Sequence, residues 1–132
     1  MESYQRLTKL LKALNHPTRL ALLEILRNEE ECVCHMTAAL NLRQAYVSQQ
    51  LTVLRQAGLV EDRRDGWRIY YRVIKPEVFA IVDAARSASG EPAQKMPARL
   101  DDCPCPKCQA ARQLPQIAAS ACEAACGGGK ST

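Results

Sequence analysis

The apolar pattern of the chain changes period at Gly58. Before it, leucine, isoleucine and valine recur at helical spacing in four short segments; after it, Trp67, Ile69, Tyr71 and Val73 alternate with other residues, as a half-buried strand does. Short helices that give way to a hairpin leave few architectures. The pattern predicts a mainly α chain of five helices plus a two-stranded β-hairpin.

The first helix spans residues 2–15 on Leu7, Leu10, Leu11 and Leu14. Pro17 suits the first position of the second helix, which carries Leu20, Leu22, Leu23, Ile25 and Leu26. The third follows Glu29-Glu30-Glu31, since acidic side chains favour a helix N-terminus, and presents Val33, Met36 and Leu40. The fourth runs from Arg43 to Ala57 on Val47, Leu51 and Leu54, and Gly58 stops it. Leu59-Val60 enters the first strand, and Asp65-Gly66 is the turn signal before the second. Pro76 opens a fifth helix with Val78, Phe79, Ile81 and Val82 inward. From Ser87 the composition turns to Ser, Gly, Pro and Ala. The expected division is one domain over 1–88, a linker over 89–102 and a cysteine-rich tail over 103–132.

Two short helices and a tight turn followed by a hairpin describe a winged helix-turn-helix, whose second helix enters the major groove of double-stranded DNA. That helix begins Arg43-Gln44-Ala45-Tyr46 and continues Val47-Ser48-Gln49. Arg43 and Gln44 stand where they reach base edges, and Ser48 and Gln49 lie opposite Val47, Leu51 and Leu54. No acidic residue occurs from Asn41 to Ala57 to repel phosphate. Arg63, Arg64 and Arg68 around the hairpin turn suit phosphate or the minor groove. The net charge of +4 permits such a partner without demanding it.

Seven cysteines, an odd number, with no signal-peptide core and no run long enough for a membrane span, point to reduced thiols in the cytoplasm. Cys103-Pro104-Cys105-Pro106-Lys107-Cys108 reads as a metal-binding loop, with Lys107 favouring thiolates. Three thiols need a partner for a tetrahedral site, or take a three-coordinate ion such as arsenite or lead alone. Cys122 and Cys126 share a helical face at i, i+4 spacing. Cys32-Val33-Cys34 is a further pair, followed by His35 as a possible ligand. Residues two apart on an ideal helix point about 200° apart, so both sulfurs meet one ion only if the helix begins there or is distorted.

Leu54-Arg55-Gln56-Ala57-Gly58-Leu59-Val60, Arg63-Arg64-Asp65-Gly66-Trp67 and Tyr70-Tyr71 resemble the ArsR–SmtB metal-sensing repressors. So do Asn15-His16-Pro17-Thr18-Arg19-Leu20 and Glu31-Cys32-Val33-Cys34. The resemblance implies a homodimer joined through the first and fifth helices, repressing a resistance or efflux operon until an inducer binds. It marks Cys32 and Cys34 as the thiolate sensor of arsenite, cadmium or lead (As(III), Cd(II) or Pb(II)), with Cys103, Cys105 and Cys108 as supplements. Three positions depart from the family pattern: His35 replaces its usual Asp, Arg43 its small hydroxyl cap and Gln50 a common histidine. Asn41 is the expected substitute cap. The fifth helix holds no histidine or cysteine, which argues against zinc, nickel and cobalt as inducers and for thiophilic ions. A redox or reactive-sulfur sensor on this scaffold and a cysteine-rich metal buffer are the alternatives. No residue arrangement suggests an enzyme.

Overall fold

A computed structural model describes residues 1–94, 96–97, 99–100 and 103–113. Its elements are α1 (Glu2–Leu14), α2 (Pro17–Ile25), β1 (Glu31–Cys32), α3 (Val33–Leu40), α4 (Gln44–Gln56), β2 (Val60–Asp65), β3 (Arg68–Val73), α5 (Glu77–Ser89) and α6 (Pro106–Gln113). The five expected helices and the hairpin are present. The fold adds β1, which turns the two-stranded wing into a three-stranded antiparallel sheet of order β1-β3-β2, and α6.

The core lies where α2, α3 and α4 converge. Leu22, Leu23, Met36, Val47, Leu51, Leu54 and Leu59 are fully or almost fully buried there, with Val78 of α5 closing it. His16 caps α2 by accepting from the Thr18 N–H, and Pro17 takes the first turn. Arg19 ties three helices together. It donates to the carbonyl of Ala13 at the end of α1, to that of Lys12, which also accepts the Asn15 N–H, and to Gln50 Oε1 on α4. Gln50, in the position of the family's histidine, is buried by this contact.

Asn41 is not the cap of α4. It adopts the left-handed conformation (φ 52°) that ends α3, a geometry asparagine tolerates, and Arg43 occupies the N-cap of α4 without a side-chain bond. The hairpin turn also sits one residue later than expected. Asp65 pairs with Arg68, so Gly66 (φ +63°) and Trp67 are its central residues. A glycine first is what a type II′ turn requires. Trp67 therefore leaves the strand and stands fully exposed at the wing tip.

Successive strand residues face opposite sides of the sheet. Val60, Ile69, Tyr71 and Val73 pack on the helical core. Tyr70, paired with Cys32 across β1 and β3, belongs to a second small cluster on the other face together with Cys103, Cys105 and Cys108. Residues 103–108 thus lie against the wing sheet, beside the start of α3.

Candidate metal centre and DNA-reading face

On α4, Arg43, Gln44, Ala45 and Gln49 are exposed and Ser48 is half-buried. Tyr46 points inward: its hydroxyl lies 3.3 Å from His16 Nε2 and 3.5 Å from Thr18 Oγ1. The three wing arginines differ. Arg64 is exposed and makes no ion pair with another described residue. Arg63 pairs with Glu30 at 2.5 Å and lies over the Tyr70 ring. Arg68 donates to Cys34 Sγ at 3.2 Å and to the Pro104 carbonyl at 3.1 Å, so it turns toward the sulfurs.

Helix α3 begins immediately after Cys32, which satisfies the geometric condition on the thiol pair. Cys32 is the N-cap residue in extended conformation, and its sulfur accepts the His35 N–H at 3.2 Å. Released from the helical repeat, its side chain reaches Cys34. The two sulfurs are joined as a disulfide, where the sequence suggested reduced thiols. Cys103 Sγ lies within 4.8 Å of both. Cys32 and Cys34 border a cavity of about 400 Å³ lined also by Gln44 and Ser48 of α4 and by Trp67 and Arg68 of the wing.

A second group shares Cys103. His35, Cys103, Cys105 and Cys108 are all buried, and their ligand atoms all lie within 4.8 Å of one another. Cys103 and Cys105 lie outside any helix or strand, but Pro106 opens α6, so Cys108 sits in a helical first turn rather than in a loop. His35 Nδ1 is 3.2 Å from Cys108 Sγ, and its Nε2 is 3.4 Å from Glu31 Oε2.

Burial pushes the Cys103 thiol up to about 12, with the neighbouring sulfurs adding to the rise. Burial raises Cys105 too, but the Cys108 N–H, the hydrogen-bonding neighbour thiols and the Arg99 guanidinium outweigh it, leaving Cys105 below its ordinary value. Burial, then the charges of Arg99 and Lys107, holds His35 neutral below its usual range. Burial also raises Glu31, against the pull of Arg99. The cation beside the thiols is Arg99. Lys107 instead donates to the Glu30 carbonyl and faces Glu29 and Glu31.

Cys32, Cys34, Cys103, Cys105 and Cys108 thus come together, while Cys122 and Cys126 lie outside the described residues. Sequence reasoning missed Arg99 and Glu31. Glu31 and His35 at i, i+4 were a usable signal; Arg99, within a Pro- and Ala-rich stretch, gave none. Among the described residues, no helix is long and apolar enough to cross a membrane.

Residues 16–62 match the model of the bacterial regulatory protein, arsR family. The chain is 43% identical over 75 residues to the biofilm growth-associated repressor of Agrobacterium fabrum, covering 57% of this chain and 64% of that one. It is 50% identical over 60 residues to an arsenic resistance transcriptional regulator of Pseudomonas putida, covering 46% of each. The chain therefore spans between 46% and 64% of the length of these two relatives. A homodimeric winged helix-turn-helix DNA-binding domain from Mycobacterium bovis superposes with a TM-score of 0.61 at 28% identity, covering 70% of this chain and 86% of that one.

Proposed function

Since the chain belongs to the ArsR family of DNA-binding transcriptional repressors, which are not enzymes, we propose that it leaves its operator when Cys32, Cys34 and Cys103 together bind arsenite. The observation that carries this reading is the place of Cys32 and Cys34, on the cavity between α4 and the wing, the two elements that meet DNA in this reading, with Cys103 Sγ within 4.8 Å of both.

Three converging sulfurs suit a trivalent, thiophilic centre, and cadmium or lead are the other soft candidates. Arsenous acid exchanges its three hydroxyls for three thiolates and releases three waters. The Cys32–Cys34 disulfide must first accept two electrons and two protons from two cellular thiols, which leave joined as a disulfide. Drawing Cys103 onto Cys32 and Cys34 then pulls at the first turn of α3 and at Arg68, which bonds Cys34. Gln44 and Ser48 line the same cavity, so the shift reaches the base-reading end of α4. The coupling is reciprocal and of the usual size, about 1–3 kcal/mol.

The operator-bound form in this reading is a cytoplasmic homodimer. Tyr4, Leu7 and Leu11 are exposed along α1, and Leu11, Leu14, Leu20, Ile81 and Val82 line a groove of about 400 Å³ between α1 and α5. An apolar strip of this kind is what a partner helix covers.

The test is fluorescence anisotropy of reduced protein on its upstream DNA, titrated with arsenite, cadmium and zinc under nitrogen. The reading expects arsenite to release the DNA and Cys34→Ser to abolish that release while still binding DNA. Release that persists in Cys34→Ser overturns it. A second reading, thiol redox sensing, is favoured by the disulfide itself. It expects oxidation alone to release DNA and dithiothreitol without chelator to restore binding.

A further inference from the structure

We propose that His35, Cys103, Cys105 and Cys108 form a standing tetrahedral zinc site, separate from the inducer pair, that clamps the C-terminal segment onto the wing sheet.

Helix α6 has eight residues, and only Cys108 is buried among them. A helix this short is marginal in water, and one buried side chain does not hold it by hydrophobic burial. Its segment nevertheless places three thiols and an imidazole in one buried cluster. One nitrogen and three sulfurs is a donor set of structural zinc sites. Zinc bonds of about 2.0–2.3 Å place neighbouring ligand atoms roughly 3.3–3.8 Å apart in a tetrahedron. The observed upper limit of 4.8 Å needs a contraction of about 1 Å on that scale.

The surroundings fit thiolate ligands. Backbone N–H groups point at the sulfurs: Cys105 N to Cys103 Sγ at 3.5 Å, Cys108 N to Cys105 Sγ at 3.4 Å, and Leu100 N to Cys108 Sγ at 3.2 Å. Such bonds favour the charged form. His35 presents Nδ1 to the cluster and Nε2 to the Glu31 carboxylate, the outer partner that orients a metal-bound histidine. Arg99 in turn holds Glu31 at 2.6 Å.

Cys103 belongs to both sulfur groups. Zinc at the four-ligand site sets that sulfur beside Cys32 and Cys34, where a thiolate can bridge two soft ions. Zinc is then a precondition of sensing and not the signal, and the site stands whether or not the inducer binds at Cys32 and Cys34.

The experiment titrates cobalt(II) into reduced, metal-free full-length protein under nitrogen, read by visible d–d and near-ultraviolet thiolate charge-transfer absorption. Zinc competition and protease cleavage of the tail are followed in parallel. The Cys32→Ser/Cys34→Ser double variant is expected to bind one cobalt per chain with the intense spectrum of a tetrahedral ion. Glu31→Gln weakens binding about 10–100-fold. Cys105→Ala, outside the domain core and so harmless to folding, weakens it by at least as much and exposes the tail to protease in the presence of zinc. Loss of the spectrum in the double variant, or unchanged cobalt affinity in Cys105→Ala, overturns the proposal. Arsenite-driven DNA release in the same samples separates the two readings: if it fails while the cobalt spectrum is intact, the inducer assignment falls and the zinc site remains.

Discussion

The wing carries three arginines around its turn, but their partners leave one of them for DNA. Arg63 is held by Glu30 and Tyr70, and Arg68 by Cys34 and Pro104, while Arg64 is exposed without an ion-pair partner among the described residues. The affinity of a protein for duplex DNA falls with salt by a logarithmic slope of about 0.9 per neutralised phosphate. One free arginine per wing and two wings in the proposed homodimer give Arg64→Gln a slope shallower by about 1.8. Between roughly 50 and 200 mM salt, the wild type therefore loses about tenfold more affinity than the variant. Arg63→Gln and Arg68→Gln are expected to leave the slope within about half a unit of wild type. The assay is anisotropy on one operator duplex at four or more salt concentrations, with metal-free reduced protein. If Arg63→Gln or Arg68→Gln flattens the slope as much as Arg64→Gln, their protein partners release them on binding, and the inference from the unbound geometry is wrong.

Two further perturbations test the frame around the site. Arg19→Ala removes the side-chain partner of the Ala13 carbonyl and leaves Gln50 buried without its partner; urea denaturation is expected to show a loss of roughly 1–3 kcal/mol, and no loss refutes the assigned role. Arg27 hydrogen-bonds Asp83 on α5 and holds its carboxyl below the ordinary value of 3.8. A lowered folded value makes this link fully stabilising above pH 3.8 and lost as the pH falls through the folded value. Asp83→Asn should therefore be less stable than wild type at neutral pH and converge with it in acid; a constant difference in melting temperature across that range refutes the assignment.

Much of this molecule was readable because its local signals agree with one another. Helical spacing in α1 to α5, Pro17, Gly58 and the glycine of the turn each point to the element that forms. Misreadings arose where one residue type serves two ends of a connection. Asn41 is as good at closing α3 as at opening α4, and only the backbone at φ 52° decides between them. Strand β1 was invisible because two residues carry no periodicity; it exists through pairing of Glu31 and Cys32 with Tyr71 and Tyr70, far along the chain. The thiols were legible as candidate ligands one by one. Their grouping was not, since the approach of Cys103 to Cys32 and to His35 depends on how residues 103–113 lie against the sheet. The wing arginines show the converse limit: sequence lists the charges, and only packing shows which are already engaged.

Trp67 is the chain's single tryptophan, and it stands at the tip of the wing with its ring wholly in water while bordering the cavity beside Cys34. The protein thus carries its own optical probe at the place where the proposed DNA and inducer sites meet. Its fluorescence will be red-shifted in the native state and will change little when the helical core melts, since the indole gains almost no further hydration. A denaturation curve followed through this residue reports the wing and not the domain, whereas quenching of the same signal on adding a ligand is a label-free measure of events at the sulfurs.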